Sequence, residues 1–366
     1  MNKFLLGHSC GTSWLDAAKE CLKQIGSLPL DTNFGFVYAT DTFSRELPQI
    51  LDYLKDVTDI GHWVGGIGMG ICCTQQEYYD QPAVTIMLCR FPEMDFRVVS
   101  SVRLDINATP DEWHGKNWHF GIIHGDPRDP QLAGLISKFA QRNHFLMGGL
   151  ISSHGRHLQI ADNIIEGGLS GVVFSEEIPV VTGLTQGCSP IGPIREITDC
   201  HGNVIIEIDN RPALEVFYQD IGEVLARDVN RAAGYIFAGL PVKGSDTGDY
   251  LVRNLMGVDT QNKLIAIGDN VADGDAIMFC RRDAQSARLD MQRMLDHLKA
   301  RTACTPKGGV YFSCLGRGRN LFGNNSEELK TIARTLGDFP LVGFFANGEI
   351  SNHRLYSYTG VLALFL

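Results

Sequence analysis

The chain has 366 residues, more than one hydrophobic core usually supports, so two domains are expected. Its 44% apolar and 20% charged residues suit folded domains and exclude wholesale disorder. A formal net charge of −10, with no run of lysine or arginine, argues against a phosphate-backbone partner, so no nucleic acid is expected.

The first residues, MNKFLLGHSCG, carry too short an apolar run for a secretory signal, and no apolar run approaches the roughly twenty residues of a membrane span. A soluble cytoplasmic protein without membrane insertion is expected. The ten cysteines are scattered, form no C-x-x-C pair and read as reduced thiols. Ser13 is placed to cap a helix whose Trp14, Ala17, Ala18, Cys21, Leu22 and Ile25 share one face, closed by Gly26.

Three stretches then repeat one order of parts: Phe34 to Phe91, Trp118 to Phe174 and Val310 to Phe365. Each opens on a short apolar strand: Phe36 to Tyr38, Phe120 to Ile123, then Val310 to Phe312. The helical faces that follow are Leu47, Ile50, Leu51, Leu54; Leu132, Leu135, Ile136, Phe139; and Leu329, Ile332, Ala333, Leu336, all with the same offsets. An apolar pair and a glycine come next, ending at Gly65, Gly148 and Gly343, and a further strand ends each unit. The predicted fold is therefore α/β: repeated strand-helix-strand-strand units, with a loop before the last strand, forming mixed sheets with packed helices in two domains. A glycine directly after an apolar strand permits positive φ or the close approach of a ligand or a neighbouring backbone.

Between the second and third units, Pro179 to Pro193 is rich in glycine, proline and polar residues, and Val204 to Ile208 reads as a strand. A boundary is placed near Asn210, giving domains 1–210, with two of the units, and 211–366. Ala213 to Leu225 reads as helix, Tyr235 to Leu240 and Leu264 to Ile267 as strands, and Asp283 to Lys299 as a long helix capped by Asp283.

Three stretches carry candidate chemistry. Ser313-Cys314-Leu315-Gly316-Arg317-Gly318-Arg319 follows a strand, and its glycines and arginines suit an anion or carboxylate, although it lacks the ending of a P-loop. Asn347-Gly348-Glu349 combines a turn signal with a carboxylate just beyond a buried strand. Arg253 and Asn254 lie in an apolar strand, where an arginine needs a bound anion or a partner such as Asp269 or Asp283. The candidate ligand-binding residues are thus Arg253, Asn254, Cys314, Arg317, Gly318, Asn347 and Glu349. His114, His119 and His124 fit no standard ligand pair, and His154 and His157, at a spacing some metals accept, have no carboxylate or cysteine at the matching offset, so no metal site is expected. A single axial histidine for haem would leave no pattern. An enzyme would need Cys314 as nucleophile, its thiol pKa depressed by Arg317 or Arg319, with His353 as base; nothing in the sequence brings His353 to Cys314, and no catalytic residue is assigned.

Several stretches in order resemble the FIST family. Trp63-Val64-Gly65, Glu77-Tyr78 and Pro82-Ala83-Val84 are similar to its N-terminal domain. Gly234 to Leu240, Tyr250 to Leu255, Phe279 with Arg282-Asp283-Ala284, Ser313 to Gly318 and Phe345 to Ile350 are similar to its C-terminal domain. The resemblance implies a sensory module for a small ligand such as an amino acid or related metabolite, signalling to a separate partner. One branch of the family implies a haem-binding nitric oxide sensor that regulates a histidine kinase, and its eukaryotic members imply a protein-interaction module.

Overall fold

The computed structural model describes residues 3–102, 118–141, 145–222, 234–243 and 248–366. The chain divides into two compact units, Met1–Thr185 with Met291–Leu366, and Gln186–Asp290.

The first unit opens with β1 (Leu5–Cys10) and the helix Trp14–Ile25. The Ser13 hydroxyl accepts from the Asp16 N–H at 3.2 Å as an N-cap, and Gly26 ends the helix at φ 75°. The first repeat is β2 (Phe34–Thr40), the helix Leu47–Thr58, β3 (His62–Gly68), the hairpin β4 (Gly70–Cys73) and β5 (Gln76–Tyr79), and β6 (Ala83–Cys89). After β7 (Phe96–Ser100) comes the second: β8 (Trp118–Gly125), the helix Leu132–Ala140, β9 (Phe145–Leu150), the hairpin β10 (Leu158–Ala161) and β11 (Asn163–Glu166), and β12 (Leu169–Ser175). The glycine- and proline-rich stretch Pro179 to Pro193 holds two strands, β13 (Val180–Gln186) and β14 (Cys188–Pro190). Backbone pairing there overrides the weak strand preference of its glycines and prolines.

The second unit continues through β15 (Arg195–His201), β16 (Val204–Ile208), β17 (Arg211–Pro212), the helix Ala213–Ile221, β18 (Ile236–Pro241), β19 (Tyr250–Asp259), β20 (Leu264–Ile267) and β21 (Ala276–Arg282). With β14 these strands form one eight-stranded sheet around Ile197, Ile205, Phe217 and Phe279. Asn210, where the sequence suggested a boundary, lies inside this unit, in a left-handed turn with Asp209 at φ 51° and 56°. The helix Ala284–Arg301 follows, with Asp283 accepting from the Ser286 N–H at 3.0 Å and Ala287, Met291, Met294, Leu295 and Leu298 buried as one stripe. The third repeat is β22 (Gly308–Cys314), the helix Glu327–Leu336, β23 (Leu341–Ala346), the hairpin β24 (Glu349–Ser351) and β25 (Arg354–Tyr356), and β26 (Thr359–Phe365).

Each repeat builds the middle of a six-stranded sheet, its first and second strands running parallel: β2 with β3, β8 with β9, β22 with β23. One further strand borders each sheet, β1 on β6, β7 on β12 and β13 on β26. The segment read as a loop is in every repeat a hairpin, and it leaves its own sheet. The hairpin of the second repeat pairs with β3, that of the third with β9, and that of the first with β23. The exchange closes a cycle within the first unit.

The glycine expected to follow each second strand lies inside it, and serves this closeness of backbone. A Cβ on Gly65, Gly148 or Gly343 would lie 1.7 Å from the carbonyl oxygen of Val37, Ile123 or Tyr311 respectively. Each is the register partner of its glycine. The residues one step further along the first strands, Tyr38, His124 and Phe312, meet in the middle, with ring centroids 5.5, 5.6 and 6.1 Å apart.

Candidate functional site

The third repeat holds the densest buried polar network. β22 ends at Cys314, and the chain turns through Gly316 to the short helix Arg319–Phe322 before the helix Glu327–Leu336. Arg317 and Glu328 are both 0% exposed. The Arg317 Nε donates to Glu328 Oε1 at 2.9 Å and to Ser313 Oγ at 3.2 Å. Tyr311 Oη and Ser313 Oγ donate to the same Oε1 at 2.7 and 3.0 Å, and the Gly318 N–H donates to Oε2 at 2.7 Å. The guanidinium carbon lies 5.0 Å from the centre of the Phe322 ring. Arg317 Nη1 has no hydrogen-bond partner, and Nη2, 2.8 Å from Glu328 Oε1, lies off the bonding direction. An arginine buried this deeply is tolerated because its charge is paired.

Gly318 is fixed by conformation. Its φ is +51°, and a Cβ there would lie 1.9 Å from Tyr79 Oη. Glu349, on β24, is wholly buried; its Oε2 accepts from Thr359 N and Oγ1 at 3.0 and 2.8 Å, while Oε1 is unpartnered. Burial pushes its carboxyl up to about 8, against the pull of Thr359, Arg317 and Cys314. Burial, then Glu349, pushes the partly buried Cys314 thiol up as well.

The structure thus brings Cys314, Arg317, Gly318 and Glu349 together. Asn347 lies on the same turn, with its N–H on Leu150 O at 2.9 Å and its side chain exposed. Arg253 and Asn254 belong to the second unit, on β19. Arg253 Nε donates to Asp269 Oδ2 at 2.7 Å, the ion pair weighed from sequence, and the Asn254 side chain is exposed.

Sequence reasoning gave no role to Tyr311 and Ser313, which stand beside Cys314 in the candidate stretch, and missed Glu328, Thr359 and the first-repeat hairpin residues Glu77 and Tyr79. Glu328 was findable: it precedes Ile332 and Leu336 by four and eight positions, a carboxylate on an apolar stripe. Glu77 gave no such signal, because its burial is created by a hairpin crossing to another repeat's sheet.

Histidines were weighed as haem ligands. A porphyrin needs an imidazole nitrogen opening onto an apolar slot. His124 is wholly buried, with Nε2 3.0 Å from Tyr38 Oη and the Phe312 and Phe344 rings at 5.6 and 5.9 Å. Burial pulls its imidazole down to about 3. His157 faces the charges of Arg128, Asp126 and Glu166. Neither surrounding fits the group, and His114 lies outside the described residues. His154 Nδ1 lies 2.8 Å from Asp41 Oδ2. Among the described residues no helix is long and apolar enough to cross a membrane.

Comparison with known proteins completes the picture. Residues 33–211 match the FIST N domain and residues 213–352 the FIST C domain. An uncharacterized protein of Mycobacterium tuberculosis is 30% identical over 324 residues, 83% of each chain. An uncharacterized protein of Mycobacterium bovis is 31% identical over 349 residues, 87% of this chain and 86% of the relative.

Proposed function

The chain belongs to the FIST family, whose domains are sensory, and from that premise we propose that it binds a small ligand and reports it to a separate partner protein. The observation that carries this reading is the incomplete satisfaction of the third-repeat network. Arg317 Nη1 and Glu349 Oε1 belong to side chains with no exposure, yet neither atom has a partner. Native interiors rarely leave such groups unpaired, because each costs about 1–3 kcal/mol. The network adjoins the carboxyl ends of the parallel strands β22 and β23, where α/β folds commonly hold ligands.

The proposal rests on Cys314, Arg317, Gly318 and Glu349. An amino acid or related metabolite is the proposed ligand, and a signalling protein such as a histidine kinase the proposed partner. A thiol pushed up by burial is a poor nucleophile, which favours a receptor over an enzyme built on Cys314.

Native mass spectrometry with an absorbance spectrum of the protein as isolated tests the reading. A retained small mass without a Soret band is expected; a Soret band transfers the protein to the haem reading. Glu349→Gln keeps an acceptor for Thr359 and is expected to weaken the retained ligand about tenfold, one good hydrogen bond. Equal affinity in Glu349→Gln and Arg317→Lys would remove the site from the proposal.

A further inference from the structure

The hairpin that the first repeat lends to the third carries polar groups without side-chain partners. Glu77 on β5 is 7% exposed, and neither of its carboxylate oxygens has a side-chain hydrogen-bond partner. The Tyr79 hydroxyl, two residues along the strand and therefore on the same face, is also buried and unpartnered. Both residues are held firmly. The Glu77 N–H donates to Ser326 Oγ at 2.9 Å, Tyr79 Oη abuts Gly318, and the Arg319 guanidinium lies 4.5 Å from the centre of the Tyr79 ring.

The neighbouring cations are engaged elsewhere: Arg317 with Glu328, and Arg319 with Asp80. Glu77 therefore has a carboxylate neighbour in Glu328 and no side chain paired with it, Arg319 acting on it only through its backbone N–H and a charge that Asp80 also holds. We propose that Glu77 and Tyr79 form a subsite for a small cation bearing N–H donors, an alkylammonium or guanidinium group. Two N–H groups would meet the Glu77 oxygens and a third the Tyr79 hydroxyl, a pattern that a planar or tetrahedral nitrogen cation supplies. The subsite deepens the receptor reading, on which it rests, by naming what receives a basic end of the ligand.

Burial, then repulsion from Glu328, pushes the Glu77 carboxyl up to about 8, with Arg319 pulling it part-way back. At neutral pH the carboxyl holds a proton, and an entering cation takes that proton's place. Isothermal titration of the full chain at pH 7, in two buffers of different ionisation heat, reads this exchange. The probes are methylammonium, methylguanidinium and, lacking N–H groups, tetramethylammonium. The first two are expected to bind with release of close to one proton each, and the third about tenfold more weakly or not at all. Glu77→Gln removes the proton release and weakens binding about tenfold, and Tyr79→Phe weakens it with the fold kept, as circular dichroism would verify.

Tight binding of tetramethylammonium, binding without proton release, or unchanged affinity in both variants overturns the subsite. If the cations fail while the retained ligand still depends on Glu349, the subsite is wrong and the receptor site stands. If neither the cations nor any retained ligand bind, both readings fall.

Discussion

Glu328 accepts four hydrogen bonds from four residues and neutralises the most deeply buried arginine of the network. Removing it by Glu328→Ala leaves Arg317 charged and unpaired, a loss expected near 3–5 kcal/mol in urea unfolding. Glu328→Gln keeps the acceptor oxygen and should cost clearly less. The two raised carboxyls give a pH dependence. Glu77 and Glu349 titrate near 8 when folded, against an ordinary 4.5, so between those values the native chain binds more protons than the unfolded one. Their contribution to stability therefore falls as pH rises from about 5 to 8, opposed up to about pH 6.5 by His124, whose buried imidazole is held near 3; Glu349→Gln removes its share, and identical pH slopes in parent and variant would refute the assignment. At this scale the sequence revealed the residues that punctuate strand ends, Cys314, Arg317, Gly318 and Glu349, because glycine and charge beside an apolar strand are visible locally. It concealed Arg317's partner, eleven positions downstream on another element, and it made Arg253 look available although Asp269 holds it.

At the scale of elements the repeat was plain, because helical offsets and the glycine of each second strand recur in the chain itself. The structure gives those glycines a reason: a side chain at Gly343 would overlap the Tyr311 carbonyl. Gly343→Ala, and equally Gly65→Ala or Gly148→Ala, should lower stability by about 1–3 kcal/mol or more, as overpacking does, and separate β22 from β23. A variant as stable as the parent would mean that the strands yield without strain. The hairpins were not legible. Each strand is three or four residues long, and what stabilises it is an edge strand contributed by a different repeat. Thr74 shows the anchoring: its hydroxyl donates to Phe339 O at 2.7 Å and accepts from the Leu341 N–H at 2.9 Å, across 265 and 267 positions. Local propensity carries no trace of such a partner.

At the scale of the whole molecule, the chain completes its first unit only after a second has been laid down between the second and third repeats. A fragment of residues 1–210 lacks β22, β23 and β26, leaving the β4–β5 hairpin without the edge that it joins. It should show no cooperative unfolding transition. Residues 186–290 have their own sheet and core, and that fragment should fold by itself; the reverse result would overturn the division. Two domains followed from length alone; the glycine- and proline-rich stretch Pro179 to Pro193 spans the point where the chain leaves the first unit, but no such shift marks its return at Met291. The traded hairpins have one more consequence. A ladder that closes within one chain offers the same edges to a second copy, so crowded refolding should yield interlocked dimers by domain swapping, while dilute refolding yields monomers.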